Sequence, residues 1–209
     1  MANISKHKST SVTKLLLCGD SGSGKTSALA SLANAGKKLR ILDYDDGLDI
    51  LPEFLKPEAV KNVSYVTLRD SLAQADSFRR GARLLSHWKD GDEDLGHVKE
   101  WGEDTVLVID SLTLMGEAAL RAALVFNNKK PTEQASQPEW GAAARDVQNI
   151  IQYITGDEVK CNVVVTTHMQ YMEGDMGVSK AYPTSVGSKL STKIGRYFNC
   201  VCRIDTRSS

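Results

Sequence analysis

The stretch Lys14-Leu15-Leu16-Leu17-Cys18-Gly19-Asp20-Ser21-Gly22-Ser23-Gly24-Lys25-Thr26-Ser27 decides how this chain folds. Lys14–Cys18 is a short apolar run of strand length. It empties into Gly19-x-x-x-x-Gly24-Lys25-Thr26, and Ser27–Ala35 then reads as an Ala-rich helix closed by Gly36. Strand, glycine-rich turn and helix in that order are the context a phosphate-binding loop requires. Glycines let the backbone wrap closely around a polyphosphate, while successive amides and the helix N-terminus supply partial positive charge. Lys25 is placed to reach the β- and γ-phosphates of ATP, and the Thr26 hydroxyl to ligate Mg²⁺. The expected nucleotide-binding set is Gly19, Asp20, Ser21, Gly22, Ser23, Gly24, Lys25, Thr26 and Ser27.

Further strands follow at Leu39–Leu42, Val63–Leu68, Thr105–Ile109, Asn162–Thr167 and Tyr197–Ile204. Between them, helices are expected over Ser71–Trp88, with Leu72 on the apolar face, then near Met115–Phe126 and over Trp140–Ile154. Asp90–Asp104 and Asn127–Pro138 read as polar surface loops, and Met169–Ser188 as a long segment with little periodicity. Strands alternating with helices predict an α/β domain with a mainly parallel sheet and helices on both faces. Residues 1–13 form a polar tail, and 14–209 a single core.

The chain has 209 residues, with 26 basic side chains balanced by 26 acidic ones, so nucleic-acid binding would need a local patch. Its hydrophobic fraction of 41% is that of a globular protein. No apolar run approaches the ~20 residues of a membrane span, and no apolar segment follows the early lysines as in a secretory signal. Four cysteines without a Cys-x-x-Cys pair sit mostly inside apolar runs, which predicts buried free thiols in a cytoplasmic, reduced protein.

Val106-Leu107-Val108-Ile109-Asp110-Ser111 puts a carboxylate at the C-terminal end of a buried strand, the edge where open α/β sheets bind ligands. Asp110 fits the Mg²⁺-holding aspartate of a Walker B strand. Asp43, Asp45, Asp46 and Asp49, after the second strand, offer a third carboxylate to orient the attacking water. Thr166-Thr167-His168 ends another strand at the same edge, where a polar residue could sense a γ-phosphate. His7, His87 and His97 have no metal-ligand spacing.

These four elements, in this order, resemble the ATPase core of the RecA-like recombinases, in particular the compact phage-encoded RecA-like single-strand annealing proteins. The resemblance covers roughly residues 14–205. It implies an Mg²⁺-dependent, DNA-stimulated ATPase with Lys25, Asp45, Asp110 and His168 as catalytic residues and Thr26 and Asp110 at the metal. Asp45 stands where that family carries a glutamate, a change that shortens the reach by one methylene, and Asp46 is the fallback. The resemblance further implies a cis Asp110–Ser111 peptide. It also implies two DNA loops, Asn127–Pro138 and Met169–Ser188, and trans-acting ATP contacts from Lys189, Lys193 and Arg196 in a filament or ring. Single-stranded DNA, further copies of the chain and a single-strand-binding protein are the implied partners, and no membrane is.

Charge adds to this: Met176–Ser209 carries six basic residues against one acid, Asp205. Tyr171, Lys180 and Tyr182 could then contact a strand by stacking and charge. Among rivals, a GTPase would show Asn-Lys-x-Asp and an ABC protein its Leu-Ser-Gly-Gly-Gln signature, and neither occurs. An AAA+ protein would carry a helical lid after the core, so that class fits less well. A RecA-like helicase or DNA-packaging motor stays open, as does a small-molecule kinase or a non-enzymatic nucleotide-binding module.

Overall fold

A computed structural model describes residues 11–173 and 179–205. Most of the polar tail, the middle of the Met169–Ser188 segment and Arg207 lie outside the described residues. In chain order the elements are β1 (Lys14–Gly19), α1 (Lys25–Asn34), β2 (Lys38–Asp43), α2 (Leu51–Phe54), β3 (Val63–Thr67) and α3 (Ser77–Ser86). Next come β4 (Trp88–Asp90), β5 (Glu93–Gly96), β6 (Thr105–Asp110), α4 (Leu112–Phe126) and α5 (Gln137–Thr155). The chain continues through β7 (Asn162–Thr167), β8 (Met169–Glu173), β9 (Ser179–Pro183), α6 (Gly187–Ser191) and β10 (Cys200–Ile204).

Six strands form one parallel sheet in the order β10-β1-β7-β6-β2-β3. Every residue of β6 is buried, as a β-branched run covered on both faces should be. One face packs Leu16, Leu107, Ile109 and Val165 against α3, α4 and α5; the other packs Leu17, Ile41 and Val108 against α1 and α2. Because all six strands run the same way, the C-terminal ends of β1, β2, β6 and β7 share one sheet edge. At the opposite end of β1, Lys14 Nζ is buried and donates to the carbonyls of Ile154 (3.1 Å), Val159 (2.8 Å) and Cys161 (3.0 Å). Burial lowers its pKa, but all three protons are used, and the cavity of about 600 Å³ beside it lies away from the loop after β1.

Several sequence expectations need correction. The helix expected over Ser71–Trp88 begins only at Ser77, because Asp70 Oδ1 accepts from the Asp76 and Ser77 amides (3.0 and 2.9 Å) and ends a turn there; Leu72 is 83% exposed. Asp90–Asp104 is no simple loop: β4 and β5 pair as a hairpin, Trp88 packs 5.6 Å from Trp101, and Trp101 Nε1 donates to Leu95 O. Helix α5 starts earlier than Trp140, with a reciprocal cap between Ser136 and Glu139. Hydrogen bonds from Ser136 and then Asn127, with Lys129, hold the Glu139 carboxyl well below the usual carboxylate range. The Asn127–Pro138 loop is thus anchored at Glu139. Tyr197 belongs to a 3₁₀ turn, Ile194–Tyr197, before β10. Cys18 and Cys161 are buried as expected, whereas Cys200 is half-buried and Cys202 exposed, because β10 is the edge of the sheet.

Candidate nucleotide-binding site

Asp20–Gly24 turn the chain from β1 into α1. Gly22 (φ 73) and Gly24 (φ 90) adopt left-handed backbone that a side chain would strain. At Gly19 a Cβ would lie 2.4 Å from Ser23 Oγ and 2.9 Å from Ile204 O, so β10 and the turn close on it. Lys25, only 6% exposed, donates to Gly19 O (2.9 Å) and Asp20 O (2.8 Å). Burial lowers its pKa, and the charges of Asp110, Asp45 and Asp20 oppose that shift. Ser23 Oγ is buried inside this turn without a hydrogen-bond partner. A cradle of amides, a retained ammonium and an orphan hydroxyl suits a polyphosphate.

Asp110 faces this cradle from the end of β6. Thr26 Oγ1 donates to its Oδ2 (3.0 Å), and Thr166 Oγ1, from β7, donates to its Oδ1. Burial raises the Asp110 pKa, with the Thr166 and Thr26 hydrogen bonds pulling the other way and Asp45 adding to the rise. The Asp110–Ser111 peptide is cis, as the resemblance implies. Ser111 Oγ caps α4 by accepting from the Leu114 amide (3.4 Å) and donates to Asp45 Oδ1 (2.6 Å). The Asp110 carbonyl accepts from the Tyr44 and Asp45 amides (2.6 and 3.2 Å), which fixes Asp45 against the Walker B turn.

The four carboxylates after β2 therefore separate. Asp43 is buried and accepts from the Asp46 amide (2.9 Å); desolvation pushes its carboxyl up to about 6. Asp46, at φ 54, pairs with Arg69 at 2.5 Å. Asp49 is exposed on the short 3₁₀ turn Leu48–Ile50. Asp45 alone hydrogen-bonds the Walker B turn through its side chain. Lys25, Thr26, Asp45 and Asp110 come together; Asp46 does not join them.

Thr26 and Asp110 also fit a magnesium ion. Both offer hard oxygen atoms, already adjacent, which is the donor type Mg²⁺ prefers. Beyond the effect of burial, Asp45 adds to the rise in the Asp110 pKa and the Lys25 ammonium opposes it, while Asp110 adds to the rise at Asp43.

Thr167 and His168 stand beside this group at the end of β7. Thr167 Oγ1 donates to Thr184 O (2.7 Å), the His168 amide donates to Thr113 Oγ1 (3.2 Å), and the Thr184 amide donates to His168 O (2.8 Å). The expected irregular segment is instead, in its described part, a hairpin of β8 and β9. Tyr171 on β8 is 56% exposed, yet its hydroxyl donates to Asp20 Oδ2 (3.4 Å) and accepts from Arg203 Nη2 (3.1 Å), so it leans on the phosphate-binding loop. Lys180 is exposed opposite Met172, and Tyr182 is half-buried opposite Gln170. Lys189 and Lys193 are exposed and, among the described residues, unpaired with any acid; Arg196 stacks 4.9 Å from the Tyr197 ring. None of these three hydrogen-bonds the phosphate-binding loop.

Two members of the group carry no sequence assignment of their own, Ser111 as the Asp45 donor and Thr166 as the Asp110 donor, while Ser23, expected in the nucleotide-binding set, is the orphan hydroxyl. The available signal for Thr166 is a polar residue directly after Val163-Val164-Val165.

A phosphate-binding loop facing an aspartate-ended strand across a parallel sheet defines a P-loop nucleotide-binding protein. The chain belongs to the family described as AAA domain, which it matches over residues 11–209. One similar solved structure is a prototypical ATPase from the type III secretion system of pathogenic bacteria, at 13% identity and a TM-score of 0.56. The likeness covers 91% of this chain and 51% of that one, so this chain spans about half the length of its relative. A RadB recombinase is matched at 18% identity and a TM-score of 0.47, over 91% of this chain and 73% of that one. None of the curated proteins matches the chain in sequence. The fold is the α/β fold of RecA-like P-loop NTPases, and no helix among the described residues is long and apolar enough to cross a membrane.

Proposed function

We propose that this P-loop ATPase hydrolyses Mg·ATP and works as an oligomer on single-stranded DNA, in recombination or strand annealing. The observation that carries the hydrolytic part is the Asp110 carboxylate held between Thr26 and Thr166, with Asp45 held beside it by Ser111. In this reading the loop amides and Lys25 grip the β- and γ-phosphates, and Lys25 exchanges its two carbonyl partners for phosphate oxygens. Thr26 and Asp110 hold Mg²⁺, which when bound neutralises charge on the phosphate oxygens. Asp45 accepts a hydrogen bond from the attacking water and turns its lone pair toward the γ-phosphate. In this reading Asp46, paired with Arg69, is left out of that role.

The nucleic-acid part is supported by the hairpin. Thr167 and His168, beside the expected γ-phosphate position, are hydrogen-bonded to Thr113 and to Thr184 just after β9, and Tyr171 reaches Asp20. A change at the phosphates thus has a covalent and hydrogen-bonded route to the strands that carry Lys180 and Tyr182. Lys189, Lys193 and Arg196, paired with no acid among the described residues, remain for a neighbouring copy's nucleotide, as an arginine finger serves. Sedimentation with a non-hydrolysable ATP analogue, with and without an oligonucleotide, tests this part. Assembly should be stronger with both ligands than with either alone. A monomer in every condition, with no DNA co-sedimenting, would remove the DNA reading and leave the ATP site standing. DNA binding with directional translocation instead would favour a motor, the fold shared with the secretion ATPase.

A further inference from the structure

A cavity of about 380 Å³ lies between Asp45, the start of α3 and α4. Leu68, Leu114 and Ala118 give it an apolar wall, and Tyr44, Asp70 and Ser77 a polar one. Two atoms of the polar wall are orphans. Ser77 is 6% exposed, and its Oγ has no hydrogen-bond partner; Asp70 Oδ2 is buried and has none either, so the two do not satisfy each other. Asp70 Oδ1 differs, since it accepts from the Asp76 and Ser77 amides at the head of α3. Buried polar atoms are nearly always paired, so two orphans on one cavity wall point to an occupant that donates hydrogen bonds. Tyr44 keeps its proton beside them, because burial, and after it the charge of Asp70, raises its pKa. Its ring lies against Gly81, where a Cβ would meet the hydroxyl at 2.1 Å. The charges agree with the orphans. The rim arginines are engaged, Arg69 by Asp46 at 2.5 Å and Arg121 by Glu117 at 3.8 Å. Asp45 accepts from Ser111, which leaves Asp70 as the carboxylate without a cation among the described residues.

We propose that this cavity binds an alkylammonium group, whose three N–H donors meet the Asp70, Ser77 and Tyr44 oxygens while its carbon stem packs on Leu68 and Leu114. Two sources carry that chemistry: a free small amine, and a lysine side chain of a second copy of this chain. The site does not depend on nucleotide, yet it adjoins the hydrolytic group. Tyr44 precedes Asp45, and the amides of both donate to the Asp110 carbonyl, so an occupant leans on the segment that fixes Asp45.

The test titrates n-butylammonium into the nucleotide-free chain in an amine-free buffer and follows binding by calorimetry. Tetramethylammonium, which carries the charge without an N–H, is the control. The expected result is one n-butylammonium per chain, no saturable binding of tetramethylammonium, and an affinity roughly 10- to 100-fold weaker in Asp70→Asn. That variant keeps Oδ1 for the two amides and turns the orphan oxygen into a donor, and circular dichroism checks that it folds. Ser77→Ala removes an unbonded hydroxyl, so it should weaken binding without lowering the melting temperature. Asp49→Asn, which neutralises an exposed carboxylate outside the cavity, should bind as wild type does. Sedimentation separates the two sources. A monomer that binds the probe supports a free amine, whereas copies that associate until n-butylammonium or Asp70→Asn parts them support a lysine of the second copy. The site is overturned by no saturable binding to the folded wild type, by equal binding of tetramethylammonium, or by an affinity unchanged in both Asp70→Asn and Ser77→Ala. Water alone would then fill the cavity.

Discussion

Thr166→Val removes one hydroxyl and leaves the shape of a fully buried side chain almost unchanged. The lost group donates to Asp110 Oδ1, and Thr26 is then the one remaining side-chain donor to that carboxylate among the described residues. A hydrogen bond to a charged acceptor contributes about 1.5–3 kcal/mol, and the carboxylate cannot regain the partner from bulk water at this depth. At 1.36 kcal/mol per tenfold, kcat/KM for Mg·ATP should fall roughly 10- to 100-fold if the site uses Asp110 in its charged form. The sign of the pH effect follows from the same bond. Burial already raises the Asp110 pKa and the Thr166 hydrogen bond lowers it, so its loss should move the acidic limb of the rate profile to higher pH. Half-saturation by Mg²⁺ should rise as well, and Thr166→Ser, which restores a hydroxyl, should recover most of the rate. Initial rates of phosphate release across Mg²⁺ concentrations and pH measure all three quantities. A folded Thr166→Val protein with wild-type kcat/KM and an unchanged Mg²⁺ requirement would refute the assignment of Asp110 and its donors.

Asp45→Asn should leave nucleotide affinity close to wild type and slow single-turnover cleavage, because the amide still accepts from Ser111 but is a poor acceptor for a water proton. Asp46→Asn should alter cleavage little, because Arg69 holds that side chain; the reverse outcome in the same assay would exchange the two roles. For Asp43 the folded-state pKa is raised, from 3.8 to about 6, so folding favours its protonated form. Its contribution is greatest below about pH 4 and is lost as pH rises towards 6, a change of about 3 kcal/mol at most. In EDTA, Asp43→Asn keeps an acceptor for the Asp46 amide and should flatten the melting temperature across that window; a slope as steep as wild type would show that Asp43 is not the group responsible.

The phosphate-binding loop and the parallel sheet were legible because both are local. Gly19, Gly22, Gly24 and Lys25 declare their backbone needs within one turn, and Val106–Ile109 declares burial on both faces by composition alone. The Asp45 assignment was half legible: the aspartates after β2 were visible, but their separation depends on Arg69, twenty-three residues from Asp46, and on Ser111. Thr166 was quoted within its strand yet given no role, because its contact with Asp110 follows from β7 lying between β1 and β6, an order that no local pattern encodes. Periodicity misplaced the start of α3, since Leu72 and Ala75 keep helical spacing while the Asp70 carboxylate holds the chain in a turn. The β4–β5 hairpin was hidden by its charge, with the packing supplied by Trp88 and Trp101 at its ends. Tyr171 is the most instructive case. Its aromatic character suggested an open stacking surface, whereas its hydroxyl bridges Asp20 and Arg203.

The central claim, an ATPase built on Lys25 and Asp110 whose turnover is coupled to single-stranded DNA, is tested most directly by one rate measurement. ATP hydrolysis is followed with and without a single-stranded oligonucleotide, at low and high salt, with Lys25→Ala as the blank. The account predicts Mg²⁺-dependent hydrolysis absent from Lys25→Ala, stimulated by the oligonucleotide whatever its sequence, and less stimulated as salt rises because phosphate contacts dominate such binding. Equal rates with and without the oligonucleotide at low salt would contradict the coupling, and hydrolysis persisting in a folded Lys25→Ala protein would contradict the site itself.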